Sequence, residues 1–112
     1  MATEERLSEL DLFVLLALAH LGDGAYGVAI RREIEQRGGR RTWIGPVYTA
    51  LDRLTGRGYV ETWLADPLPV RGGRARKHYR LTRAGERALR DALAMLDRMR
   101  AGLGARAAAS AK

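Results

Sequence analysis

The chain has 112 residues, enough for one domain with a modest core, and no cysteine, which excludes a disulfide framework, a thiolate zinc site and a thiol nucleophile. Its net charge is +7 and unevenly placed: Arg31 to Arg83 holds thirteen basic and five acidic residues, the remainder seven and eight. A positive field confined to mid-chain is the footprint of a phosphate-backbone partner, and the apolar run Leu12 to Ala19 is far short of the ~20 residues needed to cross a bilayer.

The N-terminus, MATEERLSEL, is polar and acidic rather than a secretory signal, so a cytoplasmic protein with no membrane partner is expected. Leu7 to Leu21 reads as the first helix. Ser8 is its predicted N-cap, Asp11 at the third helical position completes a capping-box variant, and Leu7 with Leu12 can form the hydrophobic staple. Its body is apolar on nearly every side, which predicts burial on most faces, and Gly22-Asp23-Gly24 stops it. The second helix is predicted over Tyr26 to Arg37, with Tyr26, Ile30 and Ile34 facing the core at a spacing of four. Gly27 weakens that helix by up to ~1 kcal/mol relative to alanine, which a close helix–helix approach would explain.

Arg40 to Ile44 is a basic connector with room for a short extended segment. The third helix starts near Pro46, suited to a first helical position, and Val47, Leu51 and Leu54 line its apolar face. Gly58 can supply a left-handed cap. Tyr59 to Leu64 is strand-like in composition, Ala65 to Arg76 is a long loop with two prolines and two adjacent glycines, and Lys77 to Leu81 returns as a second strand. Alternation puts Tyr79 and Leu81 toward the core. Thr82 caps a last helix from Arg83 to about Gly102, on which Gly85, Leu89, Ala92, Leu96, Met99 and Leu103 form a heptad-like seam. Gly104 to Lys112 is weakly patterned and expected to fray.

This order predicts a mainly α, α+β fold: a winged helix-turn-helix of three helices and a β-hairpin wing, with a C-terminal dimerisation helix. The division expected is 1–82 for the DNA-binding domain and 83–112 for the dimerisation helix and tail. The third helix, 46–57, is the recognition-helix candidate. Free N–H groups around Gly45 and Pro46 favour phosphate, Tyr48 and Thr49 can touch base edges, and Arg53 one turn later can reach a phosphate or a guanine. In the wing, 66–77, the basic residues Arg74, Arg76 and Lys77 are the candidates for backbone or minor-groove contact. Arg80 and Arg83 can equally pair with acids inside the domain. Trp43 is expected to pack beneath the recognition helix. Trp63 either packs on its strand or stacks on a flat, small hydrophobic or aromatic ligand in a cleft with Leu96 and Met99. His20 and His78 lack companions at metal spacing, Gly72-Gly73 lacks a phosphate-loop lysine, and no nucleophile–base pair stands out. The chain therefore reads as a non-enzyme without metal or cofactor.

Three segments, LSELDLFVLLALAHLGDGAYGVAIRREIE, GPVYTALDRLTGRGYVE and GGRARKHYRLTRAGERAL, resemble the PadR family of bacterial transcriptional regulators over about Ser8 to Leu96. The second is similar to that family's glycine–x–x–tyrosine recognition helix. The third is similar to its paired-glycine wing and leucine–threonine–x–x–glycine junction. Ala25-Tyr26-Gly27 departs from the family's histidine–glycine–tyrosine, Pro46 also departs, and Thr49 stands where proline is common. The single C-terminal helix resembles the short subgroup. The resemblance implies a homodimeric repressor of a palindromic site on double-stranded DNA. It also implies C-terminal helices packed across the dimer through Leu89, Leu93, Leu96, Met99 and Leu103, and release by a ligand at that interface. The alternative is a winged-helix interaction module whose arginines bind an acidic protein.

Overall fold

The structure, a computed structural model, describes residues 6–65 and 76–103. Arg74, most of the wing 66–77 and the tail 104–112 lie outside the described residues.

Ser8 starts helix α1, Glu9–Leu21. Its hydroxyl accepts the Asp11 N–H at 3.0 Å, and the Asp11 carboxylate accepts the Ser8 N–H at 3.0 Å, closing the predicted capping box. Val14, Leu15, Ala17 and Leu18 are buried, whereas Leu12, Phe13 and Leu16 are only half-buried, so one flank of α1 stays open. Gly22, at φ 78°, ends the helix.

The chain then turns into a short strand, β1, Ala25–Tyr26, ahead of helix α2, Gly27–Gly38. This corrects the expectation that Tyr26 opens the second helix. Tyr26 is extended, at φ −112° and ψ 164°, because Ala25 and Tyr26 pair with Tyr79 and His78 on the open side of β3. The side chain turns toward His78 instead of the core, which leaves Ile30 fully buried and Ile34 at its edge.

Gly39 caps α2 in the left-handed conformation. The connector that follows holds no strand; it is drawn in by the Glu35 carboxylate, which accepts the Thr42 N–H at 2.8 Å and an Arg31 bond at 3.0 Å. The Thr42 N–H, with Arg31 beside it, keeps the Glu35 carboxyl below its ordinary pKa. Helix α3, Ile44–Gly56, begins two residues earlier than predicted, which puts Pro46 third in the helix. The first turn has no intrahelical acceptors to satisfy, so a missing N–H there remains harmless. Val47, Ala50, Leu51 and Leu54 are wholly buried.

Strands β2, Val60–Leu64, and β3, Lys77–Leu81, form the wing's stem, and the antiparallel sheet has the order β1-β3-β2. Val60 pairs with Leu81 and Leu64 with Lys77, which sends Tyr79 into the core at 1% exposure. Thr82 begins helix α4, Arg83–Arg100. Its hydroxyl accepts the Gly85 N–H at 3.0 Å and donates to the Gly58 carbonyl at 2.6 Å, and its own N–H donates to the Tyr59 carbonyl at 3.1 Å. A Cβ on Gly85 would lie 2.9 Å from the Tyr59 carbonyl carbon, deep inside van der Waals contact, so this helix–strand approach requires glycine.

The seam on α4 divides in two. Gly85 and Leu89 are buried against their own chain, Leu93 packs at the core's edge, and only Met95, Leu96, Met99 and Leu103 stand in solvent. Leu89, at 7% exposure, is thus a core residue and is not on the exposed ridge assigned to the dimer. The first turns of α4 lie on α1 and β3, and the helix then runs past them.

Candidate nucleic-acid interface

The surface of α3 is set by its period. Val47, Ala50, Leu51 and Leu54 point inward, so Gly45, Tyr48, Thr49 and Asp52 form the opposite stripe, all exposed. Pro46 is also exposed beside them. The Thr49 hydroxyl donates to the Gly45 carbonyl at 3.2 Å, which leaves its oxygen lone pairs outward. Tyr48 lies across Gly27 of α2. A Cβ there would meet the ring Cζ at 2.6 Å and the hydroxyl at 2.7 Å, so what requires the helical glycine is a side chain of α3 laid on it, where the expectation was a direct helix–helix approach.

The base of the wing joins this surface. Tyr26, Val28, Arg32, Tyr48, Asp52, Arg76, Lys77 and Tyr79 line one open cleft of about 670 Å³. Arg32, Arg76 and Lys77 are exposed along it. The Arg76 guanidinium stands 4.8 Å over the Tyr26 ring, a contact of ~0.5–1 kcal/mol at an exposed site that restrains the arginine beside α3. Burial pushes the Tyr79 phenol above its ordinary pKa, and the negative charge of Asp52 adds to the shift.

Arg53 has a role within the fold that its sequence position does not suggest. Its guanidinium pairs with the Asp11 carboxylate of α1, whose side chain is 1% exposed. Arg57 adds a second cation, 3.8 Å from the same carboxylate, and donates to the Arg6 carbonyl at 3.3 Å. Burial pushes the Asp11 carboxyl up, but the Arg53 guanidinium and the Ser8 N–H outweigh it, and its pKa falls below the ordinary 3.8. Arg53 therefore ties α3 to α1. Asp11 announces this in the sequence: it shares the stripe of Val14, Leu15 and Leu18, and a buried acid must find a cation.

On the outer sheet face, Tyr26, His78 and Trp63 stand side by side, with ring centroids 6.0 and 5.9 Å apart. Arg80 lies 5.3 Å over the Trp63 ring and is bonded to Glu61 at 2.6 Å, so it pairs inside the domain. Trp63 is on this face, and the groove around Leu93, Leu96, Met99 and Leu103 is lined without it. The cleft expected to join Trp63 with Leu96 and Met99 does not form within one chain. Trp43 corrects another expectation. It is 66% exposed, under the Arg41 guanidinium, because the helix that it precedes begins at Ile44 and carries it outward. It borders a second groove of about 620 Å³ with Leu10, Phe13, Leu16 and Ile34, on the open flank of α1.

Among the described residues, no three His, Cys, Asp or Glu side chains converge as a metal site, and no helix is long and apolar enough to cross a membrane. Residues missed by sequence reasoning are Arg32, Asp52 and Tyr26 in the cleft, and Asp11 as the partner of Arg53. Arg32 and Asp52 carry exposed charge on the helices that build the cleft, a signal present in the sequence; Tyr26 had none while it was placed in a helix.

The sequence profile of the PadR-like transcriptional regulator family matches residues 15–91. Similar solved structures include a PadR family regulator from Eggerthella lenta DSM 2243, 28% identical with a TM-score of 0.67 over 81% of this chain and 77% of that one. RosR of H. salinarum is 28% identical, with a TM-score of 0.66 over 88% of this chain and 81% of that one. A PadR family regulator from hypervirulent Clostridium difficile R20291 is 22% identical and shares the fold, with a TM-score of 0.71 over 86% and 95%. No curated protein sequence matches the chain. With more than half its length inside the family profile, the chain belongs to the PadR-like family of transcriptional regulators and is a DNA-binding regulator, not an enzyme.

Proposed function

We propose that the protein is a homodimeric, cytoplasmic repressor that binds a palindromic operator and is released by a small hydrophobic or aromatic ligand at the dimer interface. One observation carries the reading: Arg32, Arg76 and Lys77 border the same cleft as Tyr48, so cations for the backbone flank a stripe able to read bases. The proposed contacts are Gly45, Pro46, Tyr48, Thr49, Arg76 and Lys77, joined by Arg74 of the wing. Arg53 holds the helix that presents them. Residues 1–82 serve as the DNA-binding domain and 83–112 as the dimerisation helix and tail. Leu96, Met99 and Leu103, with Leu93 beside them, seat in the partner's groove of Leu10, Phe13, Leu16, Ile34 and Trp43. Support comes from complementarity, since one chain carries both an uncovered apolar ridge and an uncovered apolar groove.

Two recognition helices then meet major grooves about 34 Å apart. Selection of bound DNA from a random pool tests this. The expected product is an inverted repeat whose half-sites are centred about one helical turn apart. Replacing Arg76 and Lys77 by glutamine should weaken binding on that site and flatten the log K against log salt slope by about 0.9 per lost phosphate contact. A pool with no enriched sequence at moderate salt would refute the reading.

A further inference from the structure

The exposed stripe of α3 has an unusual charge for a surface that approaches DNA. Arg53 is the helix's only cation, and it is paired with Asp11. Asp52 is the helix's only acid, and it lies on the stripe, three residues after Thr49 and four after Tyr48. It is exposed and lines the cleft with Arg32, Arg76 and Lys77, yet among the described residues its carboxylate has no ion pair and no hydrogen bond. Three cations share its cleft, but among the described residues the carboxylate is committed to none of them. Against a phosphate backbone such a carboxylate is repulsive, and affinity from charge alone would be greater without it. A carboxylate accepts hydrogen bonds and donates none. In the major groove its matches are the exocyclic amino groups, cytosine N4 above all.

We propose that Asp52 is a specificity-determining residue: it accepts a hydrogen bond from a base amino group, cytosine N4 in first place, and repels DNA wherever that group is missing. The proposal rests on the DNA-binding reading above and assigns one base position to one side chain. Cations at the rim hold the duplex, and the acid makes holding conditional on sequence. Tyr48 and Thr49 on the same stripe supply neutral contacts that leave this charge uncompensated.

The experiment compares wild-type protein with Asp52→Asn, each selecting from the same random duplex pool and then titrated against the wild-type site and against random duplex. Asp52 makes no hydrogen bond or ion pair among the described residues, so the variant should keep the fold, which circular dichroism checks. The wild type should enrich cytosine at one position in each half-site. The variant should lose that preference by about tenfold or more and shift it toward adenine, which asparagine reads with two bonds. On random duplex it should bind up to about fivefold tighter per subunit, since a repulsive charge of ~1 kcal/mol is gone. Two results overturn the assignment: unchanged base preference with uniformly tighter binding, which makes Asp52 a background charge, or no change in either. A wild-type protein that enriches no sequence overturns the regulator reading itself, and the assignment with it, before the variant is considered.

Discussion

Gly85→Ala is the most informative single substitution in the scaffold, because it acts where the wing becomes the last helix. The new Cβ would lie 2.9 Å from the Tyr59 carbonyl carbon and 3.2 Å from its Cα, with the carbonyl oxygen nearer still. Ordinary carbon–carbon contact is about 3.5–4.0 Å, so α4 and the Tyr59 backbone must separate by roughly 1 Å. The obstacle is main chain and cannot rotate aside. Overpacking of this kind costs about 1–3 kcal/mol, and the upper end applies here. The separation also stretches the Thr82 bonds to Gly58 and Tyr59, each worth about 1 kcal/mol. Against this, alanine improves helix propensity by at most about 1 kcal/mol.

The net expectation is a loss of about 3 kcal/mol, or a fall of about 12–15 °C in Tm for a chain of this size. Thermal and urea unfolding followed by circular dichroism measure it. Gly38→Ala is the control: it ends α2 with nothing within 4 Å of its Cβ and should change stability by no more than about 0.5 kcal/mol. A Gly85→Ala protein melting within about 3 °C of wild type would show that α4 is not seated on Tyr59, and the account of the junction would fall with it.

Asp11→Asn should cost about 2 kcal/mol at pH 7, below the roughly 3–5 kcal/mol of a fully buried broken pair because Arg53 remains 38% exposed and can turn to water. Since the native Asp11 carboxyl titrates below the ordinary 3.8, its contribution is complete above that value and is lost as pH falls through the folded pKa, so the gap between variant and wild type should narrow progressively in urea titrations taken below pH 3.8. Gly27→Ala meets the far end of the Tyr48 ring, which can swing outward, so stability should move by under about 1 kcal/mol while DNA affinity and base preference change; a large drop in stability with unchanged binding would contradict this. Leu96→Asp should give monomers in analytical ultracentrifugation, and a variant that stays dimeric would place the interface elsewhere.

The helices were legible because each carries its own punctuation. Ser8 with Asp11 and Thr82 with Gly85 are local caps, and the apolar period of α3 fixes its buried face without reference to the rest of the chain. What escaped was decided at long range. A strand of two residues has no period to detect, and β1 exists only because Tyr79 and His78 lie alongside it. The heptad on α4 continues unbroken from Gly85 to Leu103, but burial stops near Leu93, and the sequence period gives no sign of where α1 ceases to cover it. The pairing of Arg53 with Asp11 is likewise a long-range contact. The apolar stripe of α1 shows that Asp11 needs a cation, but not that Arg53, 42 residues away, supplies it.

These long-range fixings bear directly on how the regulator reads DNA. Tyr48 is packed over Gly27 of α2, and Arg53 is held by Asp11 of α1. The two residues are five positions apart, about 7.5 Å along the axis and on different sides of the helix. A roll of α3 moves both, and a slide along its axis moves both in the same direction, so neither motion is free. The stripe of Gly45, Tyr48, Thr49 and Asp52, the proposed DNA-reading surface, is thereby presented at one angle, set by a glycine and a buried acid behind it. The wing stem is fixed in the same manner by Thr82 and Gly85. Precision at the interface thus resides behind it, and substitutions at Asp11, Gly27 and Gly85 should disturb base selection more than loss of any single exposed cation.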